Sequence, residues 1–591
     1  MTAAEAETRR DASVPQLAES AESAGTPAAT PAATRTKLHG RAFYESIGSP
    51  KYILAPMVDQ SEFAWRMLTR SFLTEEEKKK MLAYTPMFHA RLFSEENKYR
   101  KAHFQAVRPD SNEPWLDGNP SLDRPLFVQF CANDPEALLS AAQQVAPYCD
   151  AVDLNLGCPQ GIARKGHYGA FLQEDQDLVF RLINRLHREL PVPVTAKIRI
   201  LENKEDTLAY ARNVLGAGAS ILTVHGRRRD QKGHLTGVAD WTVLRFLRDN
   251  LPRETVLFAN GNILQGGDIE ACLAATGADG VMSAEGNLSD PALFASPPPP
   301  GREGREYWRG RDGKRGGWRV DAITRRYLDI LHKYALGREP PRRRPLFVPG
   351  DDTAWMDQEE AGVPSQQGPE TEESDEPARK RRKKNGDGGG SGSAGGNGSS
   401  GKRDEPSPNL VAMQPHLFHL LRHLVSKHTD IRDMLARSRR DGILGYERVL
   451  HAVERRVAQG LLEYEATQGQ SFEDELAQLS DPRDEQQQQQ EQQQEQEAES
   501  SRGTVRKCKR PWWVAQPIIR PLPKEALAKG AIRLSKKELE AQGKMKAATT
   551  ATTATTMTTT TTTNGAKGAN TDAAGAEMKE EAAARDALVS G

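Results

Sequence analysis

The sequence predicts a (β/α)8 barrel, an α/β fold, followed by a helical domain, with further segments that join neither. Eight strand candidates recur over roughly 245 residues, which is close to the usual size of such a barrel. Helical patterns separate the strands, an order typical of parallel βα units. No GxGxxG follows any strand, which disfavours a doubly wound open sheet as the alternative.

The strand candidates are apolar runs bounded by turn-forming residues. They are Tyr52–Ala55, Tyr84–Phe88, Leu126–Cys131, Val152–Leu156, Val194–Ile200, Ile221–His225, Val256–Ala259 and Gly280–Ala284. Amphipathic spacing predicts helices between them. These are Ser61–Leu68 with Ser61 as its N-cap, Asp134–Ala146, Asp175–Glu189, Glu205–Gly216, Asp240–Asn250 and Gly267–Ala275. The alternation of the two patterns supports a parallel barrel.

Composition sets the domain boundaries. We expect a disordered leader over 1–37, the barrel over 38–300, and a helical domain in two pieces, 301–337 and 408–466. Residues 338–407 are rich in proline, glycine and charge, which predicts a disordered insertion. A Gln/Glu-rich linker over 467–505, a short packing segment over 506–541 around Trp512, and a disordered Thr/Ala-rich tail over 542–591 complete the chain.

Charge and cysteine content exclude several classes. Lys and Arg number 81, as do Asp and Glu, so any nucleic-acid surface must be local. The five cysteines form no CxxC pair, which disfavours both a disulfide framework and a metal centre. No apolar run approaches the roughly 18 residues of a membrane span, so we expect no membrane partner.

One cysteine lies at the carboxyl end of a predicted strand. Gly157 ends that strand, and Pro159 restrains Cys158 to extended backbone. Asp153 and Asn155 are two residues apart and therefore face the same side of the strand. Alone, a buried structural cysteine is the simpler interpretation. The residues at the ends of the other strands favour a functional cysteine instead.

Polar side chains recur at the carboxyl ends of the predicted strands. They are Gln129, Asn155, Lys197, Arg199, His225, Asn260 to Asn262 and Ser283 to Gly286. Active sites of such barrels lie at this face, and buried Lys or Arg is costly without a partner. These positions therefore predict an anionic, ring-bearing ligand. Glycine-bearing loops after the last two strands suit a phosphate, so flavin mononucleotide (FMN) fits better than a dinucleotide.

Taken together, these motifs resemble the tRNA-dihydrouridine synthase family. The residues that carry the resemblance are Leu54–Met57, Asp153–Gln160, Lys165–Gly169, Ala196–Arg199, Val224–Arg227 and Asn260–Ile263. The stretch Val281–Leu288 and the split helices resemble the eukaryotic branch that acts on D-loop positions 16 and 17. The likeness covers about residues 45 to 336 and 408 to 466, and more weakly the Trp512–Arg520 segment.

The resemblance implies an FMN enzyme, reduced by NADPH or NADH, that reduces the 5,6 double bond of a uridine in the tRNA D-arm. It implies that flavin N5 gives a hydride to C6 and that Cys158 is the catalytic acid toward C5. The matching flavin-binding positions are Ala55, Pro56, Met57, Gln129, Lys197, His225, Asn260, Gly261, Asn262, Ala284 and Glu285. Asn155 and Arg199, with Lys197 and His225, match positions near the uracil.

Two alternatives stay open. The first is that the chain is a flavin barrel that reduces a free pyrimidine, like the dihydroorotate dehydrogenases. This alternative gives the helical domain no role. A non-enzymatic RNA-binding protein with a relict barrel does not explain Cys158 and Lys197.

Basic side chains of the helical domain are candidates for tRNA contact, and we expect a monomer. The candidates are Arg422, His423, Lys427, Arg432, Arg437, Arg439 and Arg440, followed by Arg455 and Arg456. The alternative for each is an ordinary solvated helix face. The basic run Arg379–Lys384 is typical of a nuclear-import signal or of a segment that binds polyanions, so we expect a location in the cytoplasm, the nucleus or both.

Overall fold

Eight parallel strands close into a barrel in the computed structural model, which describes residues 37–232, 236–357, 407–477, 505 and 508–520. The barrel strands are β1 (Tyr52–Leu54), β2 (Met81–Tyr84), β4 (Leu126–Cys131), β5 (Ala151–Leu156), β6 (Val194–Arg199), β7 (Ile221–His225), β8 (Val256–Asn260) and β9 (Gly280–Ser283), and the short β3 (Phe88–His89) pairs beside β4. The barrel closes because β1 pairs with both β2 and β9, and β2 pairs with β4. The predicted (β/α)8 barrel is confirmed.

Helices surround the barrel and continue beyond it. Those before and around the strands are α1 (Gly40–Ser46), α2 (Phe63–Ser71), α3 (Glu75–Lys79), α4 (Ala90–Glu95), α5 (Asn97–His103), α6 (Pro135–Val145), α7 (Gly161–Lys165), α8 (Gln176–Glu189), α9 (Lys204–Gly216), α10 (Trp241–Asn250), α11 (Gly267–Thr276) and α12 (Glu285–Ser289). The later ones are α13 (Val320–Ile330), α14 (Pro408–Val411), α15 (Met413–Leu420), α16 (Arg422–Lys427), α17 (Thr429–Arg437), α18 (Gly442–Ala466) and α19 (Gln470–Ala477). None of the helices in the described part of the chain combines the length and apolar character that crossing a bilayer requires.

Burial explains why the strands were predictable. Every residue of β4, β5 and β6 is buried, as expected for parallel strands covered on both faces, which read as nearly continuous apolar runs. Side-chain N-caps fix the helix starts: Asp175 Oδ1 accepts a hydrogen bond of 3.0 Å from the Leu178 amide. Asp134 caps α6 in the same way.

Two predicted elements were misplaced. The second strand is Met81–Tyr84, not Tyr84–Phe88, because Pro86 has no amide hydrogen with which to continue the ladder. Ser61 does not cap α2, whose N-cap is Glu62. Its hydroxyl instead accepts a 3.0 Å hydrogen bond from the Met57 amide and so holds the loop after β1.

The helical segments on either side of 358–406 pack against each other and against the barrel. Arg325 of α13 forms an ion pair with Glu454 of α18. Glu62, at the start of α2, lies 3.0 Å from His416 Nε2. The His416 ring stacks on Trp65 of α2, with centroids 3.9 Å apart. These buried contacts join α15 to the barrel helix α2.

Two segments are more ordered than composition predicts. Residues 338–357 were assigned to a disordered insertion, yet Leu346 and Phe347 are buried and Arg343 pairs with Glu447 at 2.7 Å. Residues 467–477 were assigned to a linker, yet α19 buries Phe472. In both segments a few buried apolar residues lie among polar and charged ones, so the average composition does not reveal them. The rest of both predictions lies largely outside the described residues.

A β-hairpin and a C-terminal segment complete the helical region. Strands β10 (Tyr307–Arg309) and β11 (Gly316–Trp318), which were not predicted, pair antiparallel. Trp512 and Trp513 are both buried, and the Val320 amide donates a 3.0 Å hydrogen bond to the Trp513 carbonyl. The packing segment around Trp512 therefore docks at the start of α13.

Gly460 of α18 provides a test of this docking. A Cβ added there would lie 2.7 Å from Trp512 Cζ2 and 2.8 Å from Trp513 Cε3. We expect Gly460→Ala to lower the free energy of unfolding by about 1–3 kcal/mol relative to Gly216→Ala, since overpacking forces the rings to move. Gly216 ends α9 with nothing within 4 Å of an added Cβ, so it isolates the helix-propensity gain. Equal urea midpoints for the two variants would refute the contact.

Candidate active site

The register of the barrel gathers the predicted polar residues at one end. Asn155 pairs with Lys197 across β5 and β6, and Arg199 pairs with His225 across β6 and β7. His225 in turn pairs with Asn260 of β8. All five side chains are buried. Because the strands are parallel, this shared end is the carboxyl face of the barrel, where such folds place their active sites.

A hydrogen-bonded chain of side chains forms the floor of this site. Gln129 Nε2 donates to Asp153 Oδ2 at 2.8 Å, and Thr195 Oγ1 donates to Asp153 Oδ1 at 2.6 Å. Burial raises the pKa of Asp153 to about 6, although the hydrogen bonds from Thr195 and Gln129 oppose this rise. Asn155 Nδ2 donates to Gln129 Oε1 at 2.8 Å. The chain thereby fixes the orientation of both amides.

The loop that carries Cys158 is held from two sides. Asn155 Oδ1 accepts hydrogen bonds from the backbone amides of Gly157 at 3.1 Å and Cys158 at 2.9 Å. Arg199 Nε donates to the Gly157 carbonyl at 2.6 Å. Gly169 has φ +65°, and a Cβ there would lie 2.9 Å from Cys158 Cβ. Asn155 and Arg199 therefore position the thiol, and Gly169 gives it room.

The Cys158 thiol is partly buried and stays protonated. Burial raises its pKa above the ordinary value of 9.0, while the nearby charges of Arg199 and Lys197 only partly offset the rise. A protonated thiol at neutral pH is an acid and a poor nucleophile. The arrangement therefore suits proton donation.

Burial lowers the pKa values of two basic side chains in the site, Lys197 and His225. Burial, followed by the charge of Arg199, lowers the pKa of Lys197 to about 7. Burial also lowers the pKa of His225 well below its usual value, so that imidazole is neutral. Among the residues that the structure describes, no hydrogen bond engages the Lys197 side-chain nitrogen. It is thus available to a ligand.

A cleft opens beside this site, between the ends of β7, β8 and β9. Of the predicted positions, it is lined by Arg199, His225, Asn260, Gly261, Asn262, Ala284 and Glu285. Gly261 has φ +113°, and a Cβ there would lie 2.7 Å from Ala239 Cβ and 3.1 Å from His225 Cδ2, so only glycine fits at this position. Gln129, Asn155 and Lys197 lie on the neighbouring strands. Ala55, Pro56 and Met57 follow β1, where the Ala55 amide donates to the Ser283 carbonyl at 3.0 Å.

Two buried polar atoms at the cleft lack partners within the described structure. His225 Nε2 lies 3.0 Å from Arg227 NH1 and accepts from it, which leaves the proton on Nδ1. His225 Nδ1 and Asn260 Oδ1 are both buried without a hydrogen bond. Buried groups of this kind are rare unless a ligand or water satisfies them. One donor and one acceptor therefore fit a flat, polar ring such as flavin.

Comparison with known proteins decides the family. A family model described as "Dihydrouridine synthase (Dus)" matches residues 53–305. A Schizosaccharomyces pombe protein named "tRNA-dihydrouridine(16/17) synthase [NAD(P)(+)]" is 40% identical over 488 residues, covering 82% of this chain and 92% of that protein. The chain belongs to the dihydrouridine synthase family. The predicted resemblance is confirmed.

Two further relatives of this dihydrouridine synthase match a smaller part of the chain. A Saccharomyces cerevisiae protein of the same name is 54% identical over 295 residues, covering 50% of this chain and 63% of that protein. A Mus musculus protein, "tRNA-dihydrouridine(16/17) synthase [NAD(P)(+)]-like", is 48% identical over 261 residues, covering 44% of this chain and 50% of the mouse protein.

Two arginines of this dihydrouridine synthase were missed as site residues. Arg227 was noted only as part of a motif, yet its NH2 donates to Asn262 Oδ1 at 2.6 Å. Arg520 lies in the C-terminal segment, and its guanidinium forms an ion pair with Glu285. The two tryptophans near Arg520 signalled a packed segment, but nothing in the sequence indicates where its far end lies.

The described residues of this dihydrouridine synthase contain no cluster of side chains suited to a metal ion. Within residues 37–232, 236–357, 407–477, 505 and 508–520, no group of three or more His, Cys, Asp or Glu side chains is placed to hold a metal ion.

Proposed function

We propose that this dihydrouridine synthase uses FMN and NADPH or NADH to reduce the 5,6 double bond of uridines 16 and 17 in the D-loop of tRNA. The names of the S. pombe and S. cerevisiae relatives support the substrate, its positions and the reductant. The observation that carries the chemistry is the protonated Cys158 thiol, held by Asn155 and Arg199 beside Lys197. A dihydroorotate dehydrogenase-like activity on a free pyrimidine gains no support from these relatives.

The residues of the cleft fit FMN. His225 Nδ1 and Asn260 Oδ1 would satisfy polar atoms of the flavin ring. Gln129 and Lys197 lie on the adjoining strands, where they would hold the ring from the other side. When bound, FMN supplies a hydride from N5 to C6 of uracil.

Cys158 provides the proton. Its thiol would donate a proton to C5, the other carbon of the reduced double bond. A positioned general acid contributes about 10²–10⁴-fold to the rate of such a step. Asn155 and Arg199 would hold the uracil as well as the cysteine loop, since both side chains lie at the same end of their strands. Each reduced uridine consumes one hydride and one proton, which balances the reaction.

The helical region offers a basic surface for the D-arm. Lys427, Arg432, Arg437 and Arg440 are exposed on α16, α17 and the turn after them. The tRNA phosphates would bind such side chains, while the target uridine leaves its stack to enter the barrel. We propose that the protein acts as a monomer.

Reconstitution tests this proposal. Purified protein, FMN and NADPH should form dihydrouridine in an unmodified tRNA transcript at positions 16 and 17, and NADH in a parallel assay ranks the two reductants. A transcript with cytidine at both positions is the matched control and should remain unreduced. Equal reduction of free uridine and tRNA would transfer support to the free-pyrimidine alternative. A folded protein with no affinity for FMN would remove the cofactor assignment.

We also propose that the basic run Arg379–Lys384, which lies outside the described residues, directs part of the protein to the nucleus. Replacing its six basic residues with glutamine should shift the nuclear fraction to the cytoplasm, because import receptors bind such runs through their charge. Fluorescence microscopy of tagged protein measures the shift. Exchanging Lys78–Lys80, a basic run on α3, for glutamine is the control. An unchanged distribution would refute the import role.

A further inference from the structure

The cleft beside Asn260 contains an acidic side chain that opposes an anionic ligand. Glu285 lines the cleft, and a carboxylate there would repel the phosphate of FMN. Arg520 lines the same cleft, and its guanidinium donates a hydrogen bond to Glu285 Oε2 from 235 residues further along the chain. The pair therefore joins the barrel to the far C-terminal segment at the cofactor site.

Arg520 changes the charge balance of the cleft. Three guanidinium groups, those of Arg199, Arg227 and Arg520, face one carboxylate, which leaves two positive charges in excess. Burial, and next the charge of Arg520, lowers the pKa of Arg227 to about 9. Like charges crowded in a buried cleft repel each other, and an anion relieves this repulsion. The cleft is thus prepared for an anionic group.

The position of Arg520 is fixed by the fold of the segment that carries it, residues 510–520, here called the C-terminal strap. Trp512 and Trp513 are buried, and the Ala515 amide donates to the Trp318 carbonyl at 2.9 Å. Arg510 NH1 lies 3.0 Å from Asp290 Oδ2, just after α12. The strap is therefore anchored both to the helical region and to the barrel before it reaches the cleft.

We propose that Arg520 is a cofactor-binding residue: it neutralises Glu285 and supplies the charge that holds the phosphate of FMN. The inference rests on the FMN dependence proposed above. A tRNA phosphate is the other source of the same chemistry. The cofactor is favoured because Arg227, Asn260 and His225, which line the cleft with Arg520, are at most 6% exposed, whereas an RNA backbone needs an open groove. The strap thus completes a pocket that the barrel alone leaves partly acidic.

Flavin titration of the apoprotein tests the proposal, with FMN and riboflavin compared because only FMN carries the phosphate. Arg520→Ala should weaken FMN binding roughly tenfold to a hundredfold, the usual effect of a charge-assisted contact, and leave riboflavin binding unchanged. Arg520→Lys should retain most of the preference for FMN. Glu285→Gln should strengthen FMN binding more in the Arg520→Ala background than in the wild type. Arg302→Ala, an exposed arginine, is the matched control.

The outcomes separate the possibilities. An unchanged ratio of FMN to riboflavin affinity in Arg520→Ala would overturn the proposal. Equal weakening of both flavins would also overturn it, because that result indicates a structural role of the strap. Weaker tRNA binding with unchanged FMN binding would assign Arg520 to the RNA instead. Wild-type protein that binds neither flavin would instead refute the FMN dependence itself.

Discussion

Cys158→Ala is expected to slow the reoxidation of the reduced enzyme by tRNA by about 10²–10⁴-fold, with reduction by NADPH unchanged. The thiol is protonated because burial raises its pKa, and it is held by Asn155 and Arg199 at the carboxyl face. Alanine removes the acid but no group assigned to the flavin. Stopped-flow absorbance of the flavin measures the two half-reactions separately.

A matched variant separates this role from a general effect of losing a thiol. Cys272 is buried in α11, outside the site, and Cys272→Ala should leave both half-reactions unchanged. Equal slowing of both half-reactions in Cys158→Ala would indicate a structural cysteine. Unimpaired reoxidation would show that another group donates the proton.

Lys197→Met is expected to slow the reduction of the bound flavin by NADPH by about 10²–10³-fold, the loss usual for one preorganised electrostatic group. Lys197 is 4% exposed, pairs with Asn155 across β5 and β6, and feels the charge of Arg199 at the carboxyl face. There it would stabilise the negative charge that reduction places on the flavin ring. Lys79→Met, on the exposed surface of α3, is the control and should behave as the wild type.

The pH dependence gives Lys197 a second signature. Burial lowers its pKa in the ligand-free site to about 7 from the ordinary 10.5, so the side chain is largely the neutral amine at pH 8. An anionic flavin favours the charged form and raises this pKa, so FMN binding at pH 8 should take up a proton. About two pH units below this pKa the lysine is already almost fully charged, so the uptake should vanish there. Calorimetry in buffers of different ionisation heat measures it, and uptake that persists in Lys197→Met would contradict the assignment.

The barrel was predictable because its strands are buried on both faces and read as apolar runs. The failure at Tyr84–Phe88 came from extending an apolar run across Pro86, whose missing amide hydrogen ends the ladder. The prediction that residues 338–357 are disordered failed for a different reason. Leu346 and Phe347 are isolated anchors in a charged, proline-rich segment, and their burial depends on helices distant in the sequence.

The site was predictable where its residues end successive strands. Asn155, Lys197, Arg199, His225 and Asn260 follow from the strand pattern alone, since parallel strands present their carboxyl ends together. Arg520 does not. It reaches Glu285 only through the path of the C-terminal strap, and no periodicity or spacing encodes a contact across 235 residues.

Mapping of dihydrouridine in tRNA from cells that lack this protein tests the central claim most directly. The account predicts that uridines 16 and 17 stay unreduced in these cells, that the wild-type gene restores their reduction, and that the Cys158→Ala gene does not, although the variant protein still binds FMN. Normal dihydrouridine at both positions without the protein would contradict the account.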